Sequence, residues 1–151
     1  MDAQTRAEIE ALHSEFAWLI DRGASVHVAD LFVEDGRYSR STGEVSVGRE
    51  AIRIAYAGRI ANGVRTSRHV FTNLRIERVA EHCVSATSIL TLYALDGPPP
   101  IPTEVMLVAD YDDVCVRYED GRWRYVSRQV TRICVSERMR GGLPLGISAP
   151  I

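Results

Sequence analysis

An aspartate and a histidine occupy positions from which they could carry out acid–base chemistry. Asp21 follows the apolar stretch Phe16 to Ile20 and ends a predicted helix, where a carboxylate is electrostatically unfavourable. In a predicted strand, alternation places His69, Phe71 and Asn73 on one face, and such a mixed polar and aromatic face is typical of a ligand pocket. Taken alone, each ionisable residue is more often structural: an aspartate solvated at a helix end, a histidine half-exposed on a strand. The residues by themselves leave both interpretations open.

Other kinds of site have little support in the sequence. There is no H-x-x-x-H, H-E-x-x-H or G-x-S-x-G motif, no phosphate-binding glycine loop and no dinucleotide fingerprint. The three cysteines are widely spaced in apolar surroundings and form no C-x-x-C pair, which favours buried, reduced thiols. We therefore expect neither a metal nor an organic cofactor. His13, His27 and His82 are interpreted as surface or structural residues.

An acidic run on a later predicted strand is a further candidate. Asp110, Asp112 and Asp113 flank Tyr111 and could resemble a metal or acid–base site. Arginines follow on the next predicted strand, and ion pairing with residues such as Arg128 or Arg132 is the favoured interpretation.

The order of the predicted elements gives the fold class. Apolar residues recur at three- and four-residue spacing from Ile9 to Ile20, a short helix follows, and a third helical pattern begins after Gly48. Glu34 to Gly36 is predicted as a turn. Four stretches rich in β-formers then follow one another through turns, at residues 66–79, 83–95, 104–118 and 122–135. Helices followed by consecutive strands predict an α+β fold with an antiparallel sheet.

Composition excludes several classes of partner. All 18 basic residues are Arg, and 20 acidic residues bring the net charge to -2, so there is no broadly basic nucleic-acid footprint. No apolar run approaches the ~20 residues that span a bilayer. The first residues lack the basic and apolar regions of a signal peptide, and we expect a cytoplasmic protein with no nucleic-acid or membrane partner.

Local motifs and their order resemble a known family, the SnoaL-like branch of the nuclear transport factor 2-like superfamily. That branch includes scytalone dehydratase and hexachlorocyclohexane dehydrochlorinase. The resemblance rests on the segments Leu19–Gly23, Val28–Gly36, Gly48–Ile52, Arg68–Arg75 and Tyr111–Arg128. It implies a cone-shaped α+β barrel (cystatin-like), in which a strongly curved antiparallel sheet wraps the N-terminal helices.

The resemblance also implies a catalytic pair. In the dehydratase and dehydrochlorinase members, an Asp at the end of the first helix pairs with a His on the first long strand, and Asp21 and His69 match those positions. His69 would then remove a proton from carbon while Asp21 orients it and stabilises its charge. The chain has Ile20 where scytalone dehydratase has a Tyr, so scytalone is not an expected substrate. The candidate residues for binding a small apolar, aromatic or polyketide-like substrate are Tyr38, Tyr56, Phe71, Asn73, Tyr93 and Trp18.

Two alternatives to a lyase or isomerase stay open at this point. One is a non-catalytic ligand-binding or assembly module on the same scaffold, and the other is an accessory subunit resembling the small subunit of ring-hydroxylating oxygenases. We expect one domain over residues 1–151, with residues 137–151 as a tail that packs over the domain or onto a neighbour. A homodimer or homotrimer is expected, because an open curved sheet leaves an apolar face to be covered.

Overall fold

The structure, a computed structural model, describes residues 1–140, and the predicted tail lies outside the described residues from position 141 onward. Two main helices and a short 3-10 helix precede most of a six-stranded sheet. The elements are α1 (Ala3–Asp21), a 3-10 helix (Ser25–Leu31), β1 (Phe32–Ser39), β2 (Val45–Val47), α2 (Arg49–Ala61), β3 (Arg65–Ala80), β4 (Cys83–Asp96), β5 (Leu107–Arg117), β6 (Trp123–Val135) and α3 (Glu137–Arg140).

Helix α1 carries one half of the predicted pair at its last residue. Asp2 caps its start by accepting a hydrogen bond from the Thr5 backbone N–H at 2.7 Å. Ile9 and Phe16 on its apolar stripe are fully buried against the sheet. The helix ends because Gly23 takes a left-handed conformation with φ 78°, which glycine adopts at little cost. Asp21 therefore lies at a helix terminus that is packed onto the sheet.

The sheet is mixed and open. Its strand order is β2-β1-β6-β5-β4-β3, so β2 and β3 form the two edges and the barrel does not close. The strands from β3 to β6 pair antiparallel, as predicted. Strand β1 adds a parallel pair with β6, which the sequence did not predict. The result is an α+β fold in which helices pack on one face of the sheet.

Strong curvature brings non-adjacent strands together on that face. Strands β3 and β6 are separated by β4 and β5, which in a flat sheet would place them about 14 Å apart. The Arg128 guanidinium on β6 nevertheless lies 5.4 Å from the Phe71 ring on β3. The inner face is therefore concave, and side chains from its two sides meet inside it.

The predicted turn at Glu34–Gly36 is wrong, because these residues lie within β1. A register shift in the β1–β6 pairing falls between Phe32 and Arg37, so the strand accommodates the polar run as an irregularity and not as a turn. Gly36 is required there by close packing. A Cβ at position 36 would lie 2.9 Å from Phe32 Cβ and 3.0 Å from the Val33 carbonyl oxygen.

Replacing Gly36 by Ala is expected to lower the free energy of unfolding by about 1–3 kcal/mol, because the added methyl group overpacks β1. Gly58 is a matched control, since it lies inside α2 and a Cβ there meets nothing within 4 Å. Gly58→Ala is expected to raise stability by about 0.5–1 kcal/mol. Urea unfolding of both variants measures the difference, and equal effects at the two positions would contradict the packing argument.

Within residues 1–140, no helix has the length and apolar character needed to cross a bilayer.

Candidate active site

The predicted pair forms at the end of α1. Asp21 Oδ1 lies 2.7 Å from His69 Nδ1, and Asp21 Oδ2 accepts the backbone N–H of His69 at 2.8 Å. Ser67, two residues earlier on β3, donates its hydroxyl to Asp21 Oδ1 at 2.7 Å. One carboxylate thus receives three hydrogen bonds from a single strand. These donors offset the unfavourable position of a negative charge at a helix C-terminus.

The environment keeps Asp21 ionised. Burial raises the pKa of its carboxyl, but the hydrogen bonds and charge interaction with His69, together with the Ser67 bond, outweigh burial and hold that pKa below its ordinary value. Asp21 is therefore a carboxylate at neutral pH and can only accept hydrogen bonds. His69 Nδ1 must carry the proton that joins the two groups.

This arrangement fixes the histidine tautomer. With Nδ1 donating to Asp21, neutral His69 has its lone pair at Nε2. Within residues 1–140, Nε2 has no hydrogen-bond or ion-pair partner. About one tenth of the His69 side chain is exposed. The imidazole is therefore a largely buried base, and its Nε2 atom can receive a proton.

Tyr38 and Tyr56, two of the predicted substrate-binding residues, come together in the interior. Both are buried, their hydroxyl oxygens are 3.5 Å apart and their rings stack. Tyr111 on β5 is also buried, and its ring packs edge-on against Phe71 with centroids 5.0 Å apart. Burial raises the pKa values of Tyr56 and Tyr111, so both phenols stay protonated and can donate hydrogen bonds. Tyr111 is not among the substrate-binding residues predicted from the sequence.

The three other candidates for substrate binding lie elsewhere. The prediction that Asn73 shares a face with His69 and Phe71 is wrong. A register shift between Thr72 and Arg75 interrupts β3, and Asn73 takes a φ of 55° and is exposed. The extra residue in this bulge reverses the alternation of inward and outward side chains. As a result, Leu74 packs against the core and Asn73 does not.

Tyr93 and Trp18 are likewise separated from the pair. Tyr93 lies between the buried residues Leu92 and Ala94 on β4, so its side chain points to the opposite face of the sheet. Trp18 is 58% exposed on α1, with the Arg22 guanidinium 4.5 Å from its ring.

A second buried polar network lies further along the concave face. Asp113 accepts two hydrogen bonds from the fully buried Arg128, at 2.8 and 2.7 Å, and its Oδ2 is 2.9 Å from His13 Nε2. The Arg128 guanidinium is 4.0 Å from the Tyr125 ring and 4.2 Å from the Phe16 ring. Burial raises the pKa of the Asp113 carboxyl, but Arg128 and His13 outweigh burial and lower it. The predicted ion pair of Asp113 with Arg128 is confirmed.

His27 and His82 are exposed, whereas His13 is buried in this network. No group of three or more His, Cys, Asp or Glu side chains suited to holding a metal ion occurs in the part of the chain that the structure describes.

Comparison with known proteins identifies the family. A family model described as a SnoaL-like domain matches residues 1–129. The chain belongs to the SnoaL-like domain family. The search of curated proteins gave no match to this SnoaL-like domain.

Solved structures with the same fold have low sequence identity. A candidate scytalone dehydratase from Novosphingobium aromaticivorans is 23% identical, with a TM-score of 0.75 over 87% of this SnoaL-like domain and 86% of that chain. ActVI-ORFA from Streptomyces coelicolor is 22% identical, with a TM-score of 0.78 over 89% and 99% of the two chains. A protein of unknown function with a cystatin-like fold from Nostoc punctiforme is 20% identical, with a TM-score of 0.74 over 88% and 94%. These similarities support the cystatin-like fold predicted for the SnoaL-like domain.

Two polar residues of these buried clusters, Ser67 and His13, were not predicted to take part in them. Ser67 could have been found, because strand alternation places it on the same face as His69. The burial of His13 could also have been predicted, because it lies four residues after Ile9 and three before Phe16, on the apolar stripe of α1. Arg132 was predicted to pair with an acidic residue, but within residues 1–140 of the SnoaL-like domain it has no salt-bridge partner.

Proposed function

We propose that this SnoaL-like domain is a small-molecule lyase or isomerase in which His69 removes a proton from a carbon atom. The observation that carries the proposal is the 2.7 Å contact between His69 Nδ1 and Asp21 Oδ1, which leaves the lone pair of Nε2 without a partner within residues 1–140. A structural ion pair at this position would not need an unpartnered ring nitrogen. The name of one structural neighbour, a candidate scytalone dehydratase, is that of a dehydratase.

The proposed reaction begins with substrate bound beside His69. Nε2 takes a proton from the carbon, and the imidazolium that forms is stabilised by the Asp21 carboxylate. The electron pair left on carbon either expels a leaving group from the neighbouring carbon or moves into a rearranged double bond. The proton on Nε2 then passes to the leaving group in an elimination, or to another carbon in an isomerisation. His69 returns to its neutral tautomer in both cases.

Buried tyrosines could stabilise the charge that develops on the substrate. Removal of a proton next to a carbonyl group places negative charge on the carbonyl oxygen. Tyr38 on β1, Tyr56 on α2 and Tyr111 on β5 are buried in the interior, and their hydroxyl groups are hydrogen-bond donors of the required type. Aromatic rings such as Phe71 favour a small apolar or aromatic substrate.

The test is an elimination and exchange assay in D2O with the wild-type protein. The probes are a cyclic β-hydroxy ketone (a hydroxytetralone), whose loss of water forms naphthol, and tetralone, whose α-protons exchange with deuterium. We expect faster elimination or exchange than in a solution of free imidazole at the same concentration. Naphthol absorbance and proton NMR measure the two reactions. If neither probe reacts faster than with imidazole, and both nevertheless bind, a ligand-binding module replaces the enzyme proposal.

A further inference from the structure

Arg132 lies on the concave face of the sheet. Buried positions alternate along the end of β6 at Arg128 and Val130, and Arg132 follows with the same spacing. It pairs in register with Ala109 on β5, which is fully buried and small. The Arg132 side chain therefore points to the concave face of the sheet.

The guanidinium of Arg132 lacks the partners that other arginines have. Its Nε and Nη2 atoms are buried and have no hydrogen-bond partner among residues 1–140. Burial lowers the pKa of Arg132. By contrast, Arg128 makes two hydrogen bonds to Asp113, and Arg124 makes two to Asp120. Two unsatisfied donors on a positive group favour the entry of an anion that can accept both.

Sheet register places Arg132 close to the level of the Asp21–His69 pair. The paired residues across the four antiparallel strands are Phe71, Leu90, Ala109 and Arg132. His69 is the next inward-facing position from Phe71 on β3. The Arg128 guanidinium, on the same face of β6 and four residues before Arg132, lies 5.4 Å from the Phe71 ring.

A second arginine adds positive charge at the same end of β3. Arg65 precedes Ser67 and His69 by two and four residues, and its Nε is also buried without a hydrogen-bond partner in the described chain. Burial and the nearby Arg59 lower the pKa of Arg65 to about 10. Its acidic neighbour Asp96 lies 3.4 Å away and is half exposed. Of these two arginines, Arg65 has a carboxylate partner, whereas the buried Nε and Nη2 atoms of Arg132 have no hydrogen-bond partner among residues 1–140.

We propose that Arg132 binds a carboxylate of the substrate, so that the SnoaL-like domain acts on small aromatic or apolar carboxylic acids. The planar fork of a guanidinium matches the two oxygens of a carboxylate, and the buried Nε and Nη2 atoms supply a parallel pair of donors. A neutral carbonyl group would leave the half-buried guanidinium without a counter-charge. The inference rests on the proposed function only in identifying this anion as part of a substrate.

Calorimetric titration with naphthoate, and with naphthamide as its neutral counterpart, tests the proposal. We expect the wild-type protein to bind naphthoate at least ~10-fold more tightly than naphthamide. Arg132→Gln should weaken naphthoate binding by about 10-fold to 100-fold and leave naphthamide binding unchanged, and Arg132→Lys should fall between the two. Arg124→Gln is the matched control on a partly exposed ion pair and should bind naphthoate as the wild type does.

Three results would overturn the proposal. They are no naphthoate binding by the wild type, no preference for naphthoate over naphthamide, and equal naphthoate affinity in Arg132→Gln. Loss of binding in Arg65→Gln but not in Arg132→Gln would assign the anion to Arg65 instead. The naphthoate titration measures binding and requires no turnover, which separates this test from that of the proposed reaction. Circular dichroism melting of each variant establishes that it is folded.

Discussion

His69→Ala is expected to lower the rate of the proton-transfer reaction by about 100-fold to 10,000-fold, the contribution of a positioned general base. The variant removes Nε2, the nitrogen that would receive the proton. It leaves the His69 backbone N–H and the Ser67 hydroxyl to hold Asp21 in place. The effect should therefore appear in turnover more than in substrate binding. The initial rate of naphthol formation or of deuterium incorporation measures it.

His82→Ala is the matched control for this prediction, because His82 is an exposed histidine on the turn between β3 and β4. Its rate should equal that of the wild type. Retention of full activity in His69→Ala, with the fold intact by circular dichroism, would remove His69 from the mechanism. Activity would then have to come from other groups on the concave face.

Asp113→Asn is expected to lower the free energy of unfolding by about 3–5 kcal/mol, because it leaves the buried Arg128 cation without its counter-charge. Arg128 is fully buried, and its two side-chain hydrogen bonds both go to Asp113. His13 also loses a carboxylate partner 2.9 Å from Nε2. Chemical unfolding followed by tryptophan fluorescence measures the loss. A change below about 1 kcal/mol would show that the network contributes little.

Asp112→Asn provides the comparison within the same strand. Asp112 is exposed on the opposite face of β5. The partial burial of its carboxyl group and the nearby Asp110 raise the pKa of that group. Removing that charge should change stability by no more than about 0.5 kcal/mol. The double variant Asp113→Leu with Arg128→Met should recover most of the stability lost in Asp113→Asn, because it removes both buried charges together.

The sequence predicted the parts of the fold that depend on local periodicity. The stripe on α1 and the four long stretches of β-formers match the structure to within a few residues. The end of α1 at Asp21 followed from the apolar stretch before it and Gly23 after it. The pairing of Asp21 with His69 did not follow from either residue alone, and came from the resemblance to a family in which these positions meet.

Errors arose where backbone geometry departs from regular alternation. A bulge near Asn73 reverses the alternation of the β3 side chains up to a second register shift after Arg78, so a pattern of period two cannot place them. The polar run at Glu34–Gly36 has the composition of a turn, but pairing with β6 draws it into a strand. The Asp113–Arg128 pair needs only the register of β5 with β6, but the contact of His13 with Asp113 depends on how α1 packs on the sheet, which no single segment of the sequence encodes.

The parallel pairing of β1 with β6 affects the order in which the protein can form during synthesis. Phe32 pairs with Tyr125, about 90 residues later in the chain. At roughly 5–20 residues per second, translation needs about 5–20 s to supply that partner. Until then, β1 has only the three-residue strand β2 beside it, and the apolar face of α1 lacks part of its cover. The nascent chain therefore exposes apolar surface until nearly all of the domain has been made, and chaperones that bind such surface have a defined interval in which to act.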